Sequence, residues 1–230
     1  MTKTALITGG SGNLGKAVVL RFAKEGFKVI ATVSPGKDLG YKADGNVEAV
    51  AIDLTRESDV EKMVKSFIDR NEKVNCAVLT VGGFAMGDLA KTGASELQKM
   101  IDLNFYTAYH VVRPVFSQMM NQPDGGRIVL IGAKPSLGAS EGKNVIAYGL
   151  SKTLLFKLAE YLNAVGSANN VTVSMVVPST IDTPQNRKSM PKASFDDWVK
   201  PEEIADVIAM VCSAEGKQLR EPVLKVYGKV

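Results

Sequence analysis

Thr8-Gly9-Gly10-Ser11-Gly12-Asn13-Leu14-Gly15 follows directly on the apolar run Ala5-Leu6-Ile7, and an apolar-rich helical pattern, Lys16 to Ala23, then leads to Gly26. Strand, glycine turn and helix in that order make Gly10-x-Gly12-x-x-Gly15 a dinucleotide fingerprint. Small residues permit a sharp turn and a close backbone approach to a pyrophosphate. The helix start offers that anion free N–H groups and a positive dipole end. Many glycine turns are only tight connections; here the strand before and the helix after both agree with the fingerprint.

Working outward, the chain alternates strand and helix. Lys28–Val33 reads as a second strand, broken by Ser34-Pro35-Gly36-Lys37-Asp38, and Val47–Ile52 as a third that runs into Asp53-Leu54-Thr55. Glu57 to Arg70 carries apolar residues at helical spacing. Val74–Val81 and Arg127–Gly132 are nearly continuous apolar runs, as expected of strands buried on both faces of a parallel sheet. Ser95 to Met120 is a long helical stretch in which Pro114 marks a break or kink. Val145 to Val165 is the next helix, Val171–Val177 the next strand, and Val223–Tyr227 the last. Between them, Thr183 to Lys200 is polar and reads as a lid-type loop, and Pro201-Glu202-Glu203 opens a final helix. With no linker and no repeat, the expectation is one domain over 1–230, an α/β doubly wound parallel sheet flanked by helices.

Composition narrows the function. The 230 residues are 45% hydrophobic and 23% charged, enough for one large core. A formal charge of +4, dispersed along the chain, argues for neither nucleic acid nor membrane as partner. The absence of an 18-residue apolar run, a beginning that enters a strand at once, and two distant cysteines, Cys76 and Cys212, fit a cytoplasmic protein with ordinary buried thiols. His110 is the sole histidine, which removes most Ser-His-Asp and histidine-rich metal schemes; no metal site is expected.

Tyr148-Gly149-Leu150-Ser151-Lys152 places a tyrosine and a lysine four apart on one helix face. Alone, such a pair is usually a solvated face. After a dinucleotide turn and a fifth strand it resembles the short-chain dehydrogenase/reductase family, with its Rossmann-type fold, across nearly the whole chain. Asp53, the strand end Thr80-Val81-Gly82-Gly83, Asn104 and Pro178 to Thr183 fall where that family has functional positions. A narrower resemblance, to the dihydropteridine reductase branch, lies in Ile181-Asp182-Thr183-Pro184-Gln185-Asn186-Arg187-Lys188-Ser189-Met190-Pro191, Gly132-Ala133-Lys134 and Val81-Gly82-Gly83-Phe84.

The resemblance implies hydride transfer between a nicotinamide and a small-molecule substrate, with Tyr148, Lys152 and Asn104 catalytic. Tyr148 supplies or accepts the proton. Free tyrosine has a pKa of about 10, and Lys152 one turn on lowers it electrostatically. By resemblance Lys152 also holds the nicotinamide ribose, and Asn104 a water that links Lys152 to solvent. Cofactor contacts are expected from Gly9, Gly10, Ser11, Gly12, Asn13, Leu14 and Gly15. Thr32, Ser34 and Lys37 are available to bind a 2′-phosphate, Asp53 and Leu54 would flank the adenine, Ile181 and Thr183 the carboxamide, and Val81, Gly82, Gly83 and Pro178 complete the cofactor contacts. Ala133, Phe84, Asn186 and Met190 would contact substrate. Trp198 is as readily a packing residue as a pocket wall.

Three departures from the family pattern matter. Ala133 stands where a substrate-binding serine is usual, with Ser136 and Ser140 as rival positions; the dihydropteridine reductases also lack that serine. Asn13 replaces the middle glycine of the turn, and asparagine tolerates unusual backbone angles. Val33 ends the second strand where NAD-dependent members carry an acid, so NADP is preferred over NAD. The leading reading is an NAD(P)H-dependent oxidoreductase that reduces quinonoid dihydropterin to tetrahydropterin. The alternatives are a short-chain carbonyl or alcohol oxidoreductase and a non-catalytic dinucleotide sensor. The family also implies a homodimer or homotetramer built through the two long helices.

Overall fold

The computed structural model describes residues 2–70 and 73–229; Met1, Asn71, Glu72 and Val230 of the expected domain lie outside them. Its strands are β1 (Thr4–Thr8), β2 (Lys28–Val33), β3 (Val47–Ala51), β4 (Cys76–Leu79), β5 (Gly126–Ile131), β6 (Val171–Pro178) and β7 (Val223–Val226). Its helices are α1 (Asn13–Lys24), α2 (Glu57–Asp69), α3 (Ala94–Ile101), α4 (Thr107–Met120), α5 (Ala139–Gly142), α6 (Ile146–Gly166), α7 (Pro184–Ser189) and α8 (Pro201–Cys212).

Among the described residues the strands form one parallel sheet in the order β3-β2-β1-β4-β5-β6-β7. The apolar runs are apolar because both faces are covered: every residue of β1, β4 and β6 is buried. On one face Val18, Val19 and Phe22 of α1 pack with Ile204 and Ile208 of α8. On the other, Val60, Val64 and Phe67 of α2 join Val111 and Val115 of α4 and Leu155 of α6. Each element alternation forces a crossover, so all the strand-to-helix connections lie at one end of the sheet. Strand order reverses between β1 and β4, which opens a crevice beyond their carboxyl ends. The expected single α/β domain is therefore the observed one.

Some local expectations change. The fourth strand is confined to Cys76–Leu79 rather than Val74–Val81. Pro114 does not break its helix: α4 runs continuously from 107 to 120, held by buried Val111, Val112, Val115 and Met119. The irregularity lies upstream, where a π-helical turn, Asp102–Tyr106, joins α3 to α4. Thr183 to Lys200 is not a free loop but contains α7, capped by the Thr183 hydroxyl, which accepts from the Asn186 N–H at 3.2 Å. Trp198 is buried against Phe195 at a ring separation of 4.9 Å and belongs to this packing. Cys76 and Cys212 are buried free thiols; the Cys76 neighbour and burial push Cys212 well above the usual thiol range. His110 is half-buried, its Nδ1 3.0 Å from the Leu54 carbonyl. Among the described residues no helix is long and apolar enough to cross a membrane.

Candidate active site

The glycine turn is built by close approach. Gly9 has φ +70°, a conformation glycine adopts without cost, and a Cβ on Gly15 would stand 2.0 Å from the Gly9 carbonyl oxygen. Helix α1 therefore begins directly against the turn, closed by Gly12 N–H donating to Gly9 O at 2.9 Å. Asn13 needs no unusual angle; it is the first helical residue and is exposed. Among the described residues the N–H groups of Asn13, Leu14 and Gly15 have no partner, and Gly12 supplies no side-chain cap. These orphan donors at a positive helix end fit a pyrophosphate. Gly10 serves the turn itself. Its N–H donates to Thr32 O at 2.8 Å and its carbonyl accepts the Tyr41 hydroxyl at 3.0 Å.

Two threonines to which sequence reasoning assigned no role of their own lock the crevice. Thr80 donates its hydroxyl to Thr8 O at 2.6 Å and its N–H to the Thr8 hydroxyl at 3.1 Å. This ties the ends of β1 and β4 across the point where strand order reverses. The threonine heading the glycine turn was the available signal.

Beyond β4, Gly83 exchanges two hydrogen bonds with the fully buried Asn104: Gly83 N–H to Oδ1 at 2.9 Å, and Nδ2 to Gly83 O at 3.1 Å. The π-helical turn carries Asn104 to this position. Asn104 Nδ2 also donates to the Ser151 hydroxyl at 3.0 Å, which in turn donates to the Tyr148 carbonyl at 2.8 Å. Ser151 was a second omission, although it sits inside the Tyr148-to-Lys152 motif on the buried flank. A Cβ on Gly82 would stand 2.6 Å from Asn104 Oδ1 and 3.1 Å from Lys152 Nζ, so Gly82 separates the amide from the ammonium.

Helix α6 presents Tyr148 and Lys152 to this pocket. Lys152 is buried, its Nζ donating to the Ile131 carbonyl at 2.9 Å, and burial pushes its pKa down to about 8. Burial pushes the Tyr148 hydroxyl up to about 12. The expected lowering of the tyrosine by Lys152 is therefore not what this arrangement gives. The ammonium faces a backbone carbonyl, and desolvation governs both groups. Among the described residues the Tyr148 hydroxyl has no hydrogen-bond partner, which leaves its proton available to a ligand. The ring of Phe84 meets Tyr148 edge-on at 5.0 Å and 73° and is otherwise 61% exposed.

The remaining expected residues fall at the same end of the sheet, in differing roles. Ala133 is buried just after β5. The rival Ser136 donates its hydroxyl to Ala133 O at 2.6 Å, and Ser140 is exposed in α5. Ser34 and Lys37 are exposed after β2; Asp53 is half-buried after β3 and held below the usual carboxylate range by the Thr55 hydroxyl and N–H. Leu14, Leu54 and Pro178 are buried, so they can offer a ligand backbone groups at most. After β6, Ile181 pairs with Val199, Thr183 caps α7, and Asn186 donates its side-chain amide N–H to Ile181 O at 2.8 Å. Met190 is 40% exposed at the end of α7.

Known proteins resemble this chain over most of its length. A family model described as short chain dehydrogenase matches residues 3–194. A dihydropteridine reductase from Dictyostelium discoideum is 30% identical over 210 residues, 90% of this chain and 86% of that protein. A cyclic-di-GMP-binding biofilm dispersal mediator protein from Escherichia coli (strain K12) is 27% identical over 225 residues, 93% of this chain and 90% of that protein. Among solved structures, ElxO with NADP bound shares the fold at a TM-score of 0.90 and 22% identity, covering 99% of this chain and 98% of that one.

Proposed function

The chain belongs to the short-chain dehydrogenase/reductase family and is an NAD(P)-dependent oxidoreductase; from that premise we propose that it is an NADPH-preferring reductase of the dihydropteridine type. The observation that carries the reading is Ala133, buried where a carbonyl-polarising serine is usual. An isolated ketone needs that hydrogen bond, whose loss costs about 1–3 kcal/mol. A quinonoid dihydropterin accepts a hydride into its own conjugated ring and does not. The loop Ile181 to Pro191 and the 30% identity to a dihydropteridine reductase support the same choice.

Bound NAD(P)H supplies the hydride. The free N–H groups of α1 would hold its diphosphate, and the glycines at 82 and 83 would admit its nicotinamide half. Tyr148 holds the proton: with its pKa at about 12 the phenol is fully protonated at neutral pH. Its unpartnered hydroxyl is the donor to the reduced ring. Lys152, protonated below about pH 8, lies behind it as a positive charge. Asn104 fixes the strand end that carries Gly82 and Gly83 and, through Ser151, the first turn of α6. Phe84 offers a planar face beside the phenol for a flat heterocycle.

Val33 leaves the end of β2 without an acid to grip ribose hydroxyls, which supports NADPH over NADH. Two buried free thiols suit a reducing cytoplasm. We propose a homo-oligomeric assembly through α4 and α6.

The test is oxidation of NADPH and of NADH with freshly generated quinonoid dihydropterin, with Tyr148→Phe alongside. Turnover should prefer NADPH and fall at least a hundredfold in the variant, which keeps its cofactor affinity. Cofactor binding with no pterin turnover would discard the pterin assignment and direct the search to carbonyl substrates.

A further inference from the structure

We propose that Lys16, steadied over the ring of Tyr41, recognises the 2′-phosphate of NADP(H), with Tyr41 as its positioning residue. The inference rests on the NADPH preference proposed above and assigns it to residues outside the glycine fingerprint.

In a doubly wound sheet the adenosine end of a dinucleotide lies beyond the carboxyl end of β2. There Ser34-Pro35-Gly36-Lys37 forms a tight turn, with Lys37 N–H donating to Ser34 O at 3.0 Å and Gly36 at φ +76°. Asp38 follows this turn, and one of its oxygens accepts the Gly40 N–H at 2.9 Å. From Gly40 the chain folds back over the glycine turn. Leu39 Cδ2 comes within 3.2 Å of the place a Cβ on Gly10 would occupy, and the Tyr41 hydroxyl donates to Gly10 O at 3.0 Å. The Tyr41 ring also meets Lys16, whose Nζ stands 5.2 Å from its centroid.

Lys16 sits one turn into α1, its N–H donating to Gly12 O at 2.8 Å, and its ammonium lies over Tyr41, in the segment that follows β2. Among the described residues neither Lys16 nor Lys37 forms an ion pair. A free lysine on a flexible stem loses much entropy on binding; one already laid over an aromatic face loses less. The helix N–H groups serve a diphosphate common to both cofactors. An added dianion beside Lys16 is felt only with NADP(H), which makes the lysine a discriminating charge rather than a general one.

The test is calorimetric binding of NADP+, NAD+, 2′-AMP and 5′-AMP to the wild type, Lys16→Gln, Tyr41→Leu and Tyr41→Phe. Wild type should favour NADP+ over NAD+ and 2′-AMP over 5′-AMP. Lys16→Gln should weaken NADP+ and 2′-AMP at least tenfold and leave NAD+ and 5′-AMP within twofold. Tyr41→Leu should weaken NADP+ several-fold, and Tyr41→Phe, which keeps the ring, should restore most of that loss. If wild type favours NADP+ and Lys16→Gln weakens both dinucleotides equally or neither, Lys16 is not the discriminating residue and the NADPH preference stands without it. Equal affinity of wild type for NADP+ and NAD+ would instead overturn the NADPH preference itself.

Discussion

Tyr148 and Lys152 differ in what burial does to them, and the difference has consequences at two levels. For the phenol, desolvation favours the neutral form it needs as a proton donor. For the ammonium, desolvation opposes the charge that makes it useful, and a single bond to Ile131 O at 2.9 Å compensates incompletely. Below about pH 8 Lys152 is protonated in the folded and the unfolded chain alike, and the fold bears the full cost of burying the charge. Between about 8 and the ordinary value of 10.5 the unfolded chain keeps a proton that the folded chain has released. Stability therefore rises with pH across that window, by about 3 kcal/mol in total at ~1.4 kcal/mol per pKa unit. Tyr148 acts with the opposite sign only above pH 10, where the unfolded phenol ionises first. Urea denaturation at pH 7.5 and 9.5 should show this gain in the wild type and a smaller one in Lys152→Met. Reductase activity should move the other way, falling as the wild type is raised through pH 8. An equal pH dependence of stability in both proteins would show that Lys152 is not the group responsible.

At the scale of elements, the β1–α1 turn shows how a few atoms position the whole cofactor end. Gly15 and Gly12 both face the Gly9 carbonyl, but an added Cβ would lie 2.0 Å from it at Gly15 and 3.3 Å at Gly12. The first contact is with backbone that cannot yield without opening the turn; the second needs a shift of a few tenths of an ångström. Gly15→Ala should therefore abolish dinucleotide binding and lower stability by about 1–3 kcal/mol or more, as overpacked sites do. Gly12→Ala should fold normally and bind more weakly. Calorimetry and thermal melts of the pair check it, and equal behaviour would refute the close-approach argument. Such elements were legible because their cause is local: β4 and β5 are covered on both faces and so read as nearly continuous apolar runs, and the glycines announce their turn. The π-helical turn was not legible, since one extra residue per turn leaves the apolar spacing of Ser95 to Met120 nearly intact while swinging Asn104 inward. Helix α7 left a trace in Thr183-Pro184, a capping residue followed by proline, yet its six residues are too few for a periodic pattern. Partners such as Ile131 O for Lys152 or Ser151 for Asn104 depend on strands and helices meeting across the sheet, and no spacing within one segment specifies them.

At the scale of the molecule, the sheet accounts for two covered faces but leaves one flank of its helices bare. Helix α6 exposes Leu150, Leu154, Tyr161 and Val165 at 50%, 39%, 65% and 60%. On the neighbouring turn and α4, Tyr106 and Tyr109 stand 40% and 36% exposed and continue an aromatic row with Phe105 and His110. Large apolar side chains concentrated on adjacent helices exceed the scatter normal to a monomer surface. A two-fold axis through such a face buries the same patch on both copies, the commonest closed assembly. In the proposed assembly the site would gain: α6 carries Tyr148 and Lys152, and the π-helical turn carries Asn104, so a partner pressed on their outer faces would stiffen the two elements that hold the proton donor. Light scattering at micromolar concentration should give a dimer or tetramer. Leu154→Glu with Tyr161→Glu places four carboxylates across the axis of each pair and should yield monomer with reduced turnover and near-normal cofactor affinity, because the glycine turn leads into α1, which packs on the opposite face of the sheet from α6. A wild type that is monomeric under these conditions would refute the assembly, and a monomeric variant with full turnover would refute its coupling to the site.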